Sequence, residues 1–136
     1  MINETTLLPI ASPSWLQEAR QRLIGLGLPP EWPAETVEAP SERASKSADC
    51  ALRLLAEHGL EPSWMLPSLE GGICIAFALD DRYADIELLN SGEISTTRSR
   101  GFNSVSEILP CGSSLWTAVQ PIRAFLGEDC EVQLSA

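Results

Sequence analysis

The stretch "GGICIAFALDDRYADIELLNSGEIS", residues 71–95, decides the fold. In an extended chain successive side chains point to opposite faces, so Ile73, Ile75, Phe77 and Leu79 share one face. Cys74, Ala76 and Ala78 share the other. The next run carries Ala84, Ile86 and Leu88 on one side and Tyr83, Asp85 and Glu87 on the other. Matching the apolar faces sets Phe77 opposite Ala84 and Ile75 opposite Ile86, because a slip by one residue would turn every side chain over. Asp80-Asp81 is then a two-residue loop, or the centre of a four-residue one. The same test on the following hairpin puts Leu88 opposite Ile94 and Ile86 opposite Thr96. Asn90-Ser91-Gly92 becomes a three-residue loop with glycine at its left-handed position. One assumption gives both hairpins ordinary turns, and the stretch reads as an antiparallel meander.

Helical patterns flank it. In "SPSWLQEARQRLIGLG" Ser12 is placed to cap, with Pro13 at the first helical position, and Trp15, Ala19, Leu23 and Leu26 recur at helical spacing. "LPPEWPAETVEAP" is too rich in proline for a helix interior and reads as a connector pinned by Trp32. In "PSERASKSADCALRLLAEHG" Ser41 is the expected N-cap and Ala44, Ala48, Ala51, Leu52 and Leu55 form one stripe. Gly59 stands just past the end. A second proline-marked connector, "LEPSWMLPSLEGG", leads to the sheet.

Beyond residue 95 the third strand, "EISTTRS", fades into "RGFNSVSEILPCG", which reads as a loop with room for short structure. The last helix, "SSLWTAVQPIRAFLG", presents Leu115, Trp116, Val119 and Ile122 on one side. Pro121 removes an internal bond and should kink it or restart it at Gln120. The tail "CEVQLSA" alternates and could add a short edge strand. The expected fold class is therefore α+β, a three- to four-stranded antiparallel meander with helices on one face, in the order α-α-β-β-β-α. Burying Ile73, Ile75, Phe77, Leu79, Ile86, Leu88 and Ile94 at about 1.5–3 kcal/mol each is the driving force.

The 136 residues suit one domain, with residues 1–11 as an arm. No apolar run approaches the roughly 20 residues that span a bilayer, and the N-terminus lacks the basic start and apolar centre of a signal peptide, so a cytoplasmic location is expected. Nineteen acidic against nine basic residues give a net charge of −10. Phosphate neutralisation needs a clustered positive surface, and only Arg98 and Arg100 sit close together, so direct nucleic-acid binding is disfavoured. Helix–meander–helix order resembles that of double-stranded RNA binders in topology alone. Acidity suits a basic protein partner, since complementary charge steers encounter.

Catalytic and metal signatures are sparse. Cys50, Cys74, Cys111 and Cys130 form no C-x-x-C pair and His58 is the single histidine, so no zinc site is expected. No phosphate loop or nucleophile elbow occurs, and neither a cofactor nor a catalytic set is assigned. Cys111, beside Gly112 ahead of the last helix, and His58, at the end of the second, are the residues an enzyme or ligand-binding cleft would use. The more informative surface is the second face of the sheet, with Cys74, Ala76, Ala78, Tyr83, Asp85, Glu87, Ser95, Thr97 and Ser99. Small residues on its first strand suggest a second layer in close contact, from a partner, another subunit or the N-terminal arm.

A tryptophan connector, a Pro-Ser helix opening and a P…GGI entry to a meander are carried here by Trp32, Pro40, Ser41, Ala44, Ala48, Ala51, Leu52, Pro67, Gly71, Gly72, Ile73, Gly92 and Ile94. In these the chain resembles a group of small bacterial α+β proteins over residues 15–98. Pro33 replaces the aspartate that usually follows the connector tryptophan. The resemblance implies protein–protein work and no particular activity. The expected function is a non-enzymatic acidic interaction module (inhibitor, antitoxin-like or defence-associated) that binds a basic protein surface or self-associates. Tyr83, Asp85, Glu87, Ser95, Thr97, Cys74, Ala76 and Ala78 would be its contact face. The alternative is a small enzyme or ligand-binding module with a cleft near Cys111 and His58.

Overall fold

A computed structural model describes residues 12–127. Two helices, α1 (Ser14–Ile24) and α2 (Glu42–Glu57), precede strands β1 (Trp64–Ser68), β2 (Gly72–Leu79), β3 (Arg82–Leu89), β4 (Ile94–Arg100) and β5 (Asn103–Leu109). Helix α3 (Leu115–Leu126) follows. The strands form one antiparallel meander in chain order. The fold is α+β, with α2 lying on β2 and β3, α3 on β3 and β4, and α1 packed on α2.

The central register is the expected one. Phe77 pairs with Ala84 and Ile75 with Ile86; Leu88 pairs with Ile94 and Ile86 with Thr96. Asp80 adopts φ 57° in the two-residue turn, and Gly92 φ 97° in the three-residue one. Aspartate tolerates the left-handed region because its short polar side chain bonds locally. Ile73, Ile75, Phe77, Ala84, Ile86 and Leu88 meet Ala48, Ala51, Leu52 and Leu55 of α2 and Ala118, Val119 and Ile122 of α3 in one buried cluster. Ala44, Ala48 and Ala51 of α2 are fully buried, which lets that helix lie close to the sheet. Arg82, on the helix side of β3, donates from Nη1 to the carbonyls of Phe125 and Leu126, both at 3.1 Å, and so ties the end of α3 to the sheet.

Two segments read as connectors are strands. Met65 and Pro67 of β1 turn inward and are buried, while Trp64 and Leu66 turn outward. Pro67 is tolerated because β1 is an edge strand, where a missing N–H breaks no ladder bond. The presumed loop after β4 contains β5, whose residues from Asn103 to Ile108 are exposed. With both faces wet, nothing selects the apolar alternation that would have marked it. The meander therefore has five strands rather than three or four. The tail suggested as an edge strand lies outside the described residues.

Helix ends differ in detail. Ser12 does not cap α1, because Pro13 is the capping residue, with no side-chain bond. Leu16, not Trp15, joins Ala19 and Leu23 on the buried stripe. Ser41 caps α2 through the Ala44 amide, and Ser114 caps α3 through the Thr117 amide. Helix α3 continues through Pro121 instead of restarting at Gln120. The carbonyl released there belongs to Thr117, an exposed residue, where water can bond it.

Candidate functional site

The three described helices lie on the Ile73–Ile75 side; among the described residues the opposite side of the sheet is built by strand side chains, with Trp32 joining them from the connector. The β1–β2 register places Trp64 opposite Ala76 and Leu66 opposite Cys74. The β2–β3 register places Cys74 opposite Glu87, Ala76 opposite Asp85 and Ala78 opposite Tyr83. Thr97 and Ser95 continue the rows from Asp85 and Glu87 into β4. The expected contact residues are thus neighbours on one surface, and Ser99 joins them beside Tyr83.

Ala76 explains the run of small residues. It is 0% exposed although no described helix lies on that side of the sheet. Trp64 and Tyr83, on the strands to either side, bring their rings to 6.2 Å, and a larger residue at 76 would part them. The second layer anticipated over Ala76 is therefore made in part by this chain's own flanking strands. Ala78, one step further, is exposed.

Next to this aromatic pair lies a row of carboxylates. The Tyr83 hydroxyl donates to Asp85 Oδ2 at 2.7 Å. Asp85 is only 7% exposed, and its Oδ1 is buried with no hydrogen-bond partner among the described residues. Burial raises its pKa, with Tyr83, Thr97 and Cys74 opposing the rise. Ser68 Oγ donates to Glu87 Oε1 at 2.5 Å. Burial also raises Glu87, against the Ser68 bond, and the like charges of Asp85 and Glu70 add to the rise. Cys74, desolvated and facing Asp85 and Glu87, is pushed up to about 12, so its thiol stays protonated at neutral pH. Tyr83 is raised too, mainly by burial and by its bond to Asp85.

A groove of about 350 Å³ opens on this surface, between Trp32, Trp64 and Leu66 on one side and Cys74, Tyr83 and Glu87 on the other. Trp64 is 41% exposed, and Leu66 and Leu69 are exposed beside it. Ser68, Trp64 and Leu66 were missed as site residues because Pro67 masked the strand. Their alternation in "WMLPS" was the available signal. Asn90, read only as a loop residue, proves to be a junction. Its Oδ1 accepts from the Ser41 amide at 2.8 Å, its Nδ2 donates to the Ala39 carbonyl at 3.0 Å, and its own amide donates to Gly71. It thereby pins the connector and the cap of α2 to the β1–β2 turn that carries Glu70.

Cys111 and His58 occupy different places. Cys111 is exposed after β5, where Arg43 Nη2 donates to its sulfur at 2.7 Å. His58 ends α2, stacked on Trp116 with ring centroids 4.6 Å apart, in a cleft of about 580 Å³ whose lining does not include Cys111. Among the described residues no group of three histidine, cysteine or acidic side chains could hold a metal ion, and no helix is long and apolar enough to cross a membrane.

No family model, curated protein or solved structure matches this chain.

Proposed function

We propose that the protein is an interaction module that docks a basic protein surface on the helix-free side of its sheet. One observation carries the reading: Glu87 lines a groove next to exposed Trp64 and Leu66, with Asp85 two residues before it on the same face, both carboxylates partly desolvated and no basic side chain among the described residues lining the groove. Four carboxylates elsewhere on the molecule do find cations. Asp49 meets Arg20 and Arg53, Glu42 meets Lys46, Glu107 meets Arg98 and Asp81 meets Arg100. Apolar surface rimmed by unneutralised charge is the composition of a docking face.

The test is capture from a lysate of the source organism with the native protein and with a folded Asp85→Lys/Glu87→Lys variant. A basic partner should be retained by the former, lost by the latter, and released at about 0.5 M salt, where the Debye length falls to a few ångströms. Equal capture by both proteins refutes the assignment to this face.

A second reading, self-association, has its own support in β5. This edge strand exposes Val105 at 52% and Ile108 at 65%, with neither proline nor lysine to blunt it. A second copy pairing antiparallel with β5 would give a dimer. Concentration-dependent light scattering, abolished by Val105→Lys, supports that reading; a monomer at high concentration excludes it.

A further inference from the structure

The groove has a more specific chemistry than general acidity, and resting on the docking reading above it points to a single kind of side chain. Its walls include two indoles and a phenol, from Trp32, Trp64 and Tyr83, and the carboxylate of Glu87. Glu87 accepts at Oε1 from Ser68, with no bond to Oε2 from any described residue. Asp85 lies on the same side of the sheet but outside the groove, bonded to Tyr83 and sealed from solvent, so Glu87 is the partly buried carboxylate that the groove presents beside its aromatic rings. Among the described residues no lysine, arginine or histidine lines the groove to pair with it.

Cations are attracted to aromatic faces, and a carboxylate within the same site adds a charge-assisted bond. Guanidinium suits both demands better than ammonium. It is planar and weakly hydrated, stacks on indole, and presents several N–H groups to a carboxylate in a fixed fork. At about 350 Å³ the groove is near the lower limit for ligand sites, which fits one side chain and little more. We propose that the groove accepts one arginine side chain of a partner protein, its guanidinium bonded to Glu87 and lying against the indoles of Trp32 and Trp64.

The experiment titrates the full chain with acetyl-Gly-Arg-Gly-amide and with its citrulline counterpart, which has the same shape and no charge. Binding is followed through the indole N–H resonances of the four tryptophans, assigned by single Trp→Phe variants. The arginine peptide should move the Trp32 and Trp64 signals with a Kd on the order of 1 mM, as befits one anchoring contact. The citrulline peptide should not. Glu87→Gln keeps an acceptor for Ser68 and should weaken binding about tenfold, since a hydrogen bond to a charged group is worth more than to a neutral one. Trp64→Leu should weaken it about threefold. Equal response to both peptides, or shifts confined to Trp15 and Trp116, overturns the arginine site. If arginine fails to bind while partner capture still depends on the charges at 85 and 87, the arginine site is wrong and the docking face stands. If arginine binds but capture ignores those charges, the docking face is wrong and the arginine is no longer a partner's.

Discussion

Gly72→Ala is the most severe single-methyl change this fold offers, and its effect can be worked from geometry. Gly72 opens β2, paired with Ser68 on one side and Leu89 on the other. Its φ is +143°, outside the range L-residues adopt readily. A Cβ there would overlap the Leu88 carbonyl oxygen and sit 2.8 Å from Leu89 Cα and 3.1 Å from the Leu88 carbonyl carbon, all backbone atoms of β3. Strained φ/ψ costs about 1–3 kcal/mol, and forcing two strands apart costs about as much again, for a total of about 2–6 kcal/mol. Against a typical stability of about 5–15 kcal/mol that is a large fraction. Two other glycines serve as controls. Gly71, at φ +93°, has its nearest neighbours at 3.4 Å, and Gly112, at φ +96°, faces open space, so alanine at either meets backbone strain with little or no clash. Each should lose about 1–2 kcal/mol. Urea unfolding, with midpoints compared at unchanged slope, measures all three. Because Ser68 holds Glu87, the Gly72 variant should also weaken partner capture. A Gly72→Ala protein as stable as Gly112→Ala would refute the reasoning, since strain is common to both and only the overlap separates them.

Further outcomes follow from the same coordinates. Burial raises Asp85 and Glu87, so between ordinary carboxylate pKa values and their higher native ones the folded state binds more protons than the unfolded chain. Stability then falls as pH rises through that window, so the urea midpoint should increase as pH is lowered through it from the neutral side, an increase that shrinks in Asp85→Asn/Glu87→Gln. Asp49, held low chiefly by its hydrogen bond with Arg20, has the opposite sign: its contribution is complete above the ordinary value and lost as pH falls through the lowered one, so Asp49→Asn should flatten the acid limb. Asn90→Ala breaks the bonds to Ser41 and Ala39 and should lower stability by about 1–3 kcal/mol in the same assay. With Cys74 pushed up to about 12, its thiolate fraction at pH 8 is on the order of a thousandfold below that of an ordinary thiol. Iodoacetamide at that pH should label exposed Cys50 and Cys111 long before Cys74, as peptide mass mapping would show.

What could be read beforehand was whatever burial had patterned. From Ile73 to Ile94 one face is covered by helices and the other is not, so alternation was clean and the register could be derived residue by residue. β5 is exposed on both faces and obeys no such selection. β1 did alternate, Trp64, Leu66 and Ser68 against Met65 and Pro67, but a proline in five residues argued for a connector until the edge position was known. The candidate site was half legible for the same reason. Tyr83, Asp85 and Glu87 followed from the meander, whereas Trp32, Trp64 and Ser68 came to the site through an unrecognised strand and a long connector. Asn90 shows a different limit. Its contacts span about fifty residues of sequence to Ser41 and Ala39, and only the assembled fold brings those backbone groups to one side chain.

On the docking reading proposed above, the arrangement of the carboxylates on the open face serves something other than folding. A sheet surface that merely needed solubility could place Glu87 and Asp85 on alternate strands with lysines opposite, as the outer helix surface does when Asp49 sits between Arg20 and Arg53. Instead the cross-strand neighbours of these two residues are Ala76, Thr97, Cys74 and Ser95, small side chains that neither neutralise the charges nor hide Trp64 and Leu66. Tyr83 and Ser68 each satisfy one oxygen and hold each carboxylate in place. Two like charges fixed next to each other destabilise the free protein and are relieved by a cation brought from outside, so binding draws on energy already present in the unbound state. It follows that Asp85→Asn and Glu87→Gln should each leave the free protein as stable or up to about 1 kcal/mol more stable while weakening partner binding. Thermal unfolding and capture measured on the same preparations separate the two effects, and a variant that loses stability and binding together would show the carboxylates to be structural.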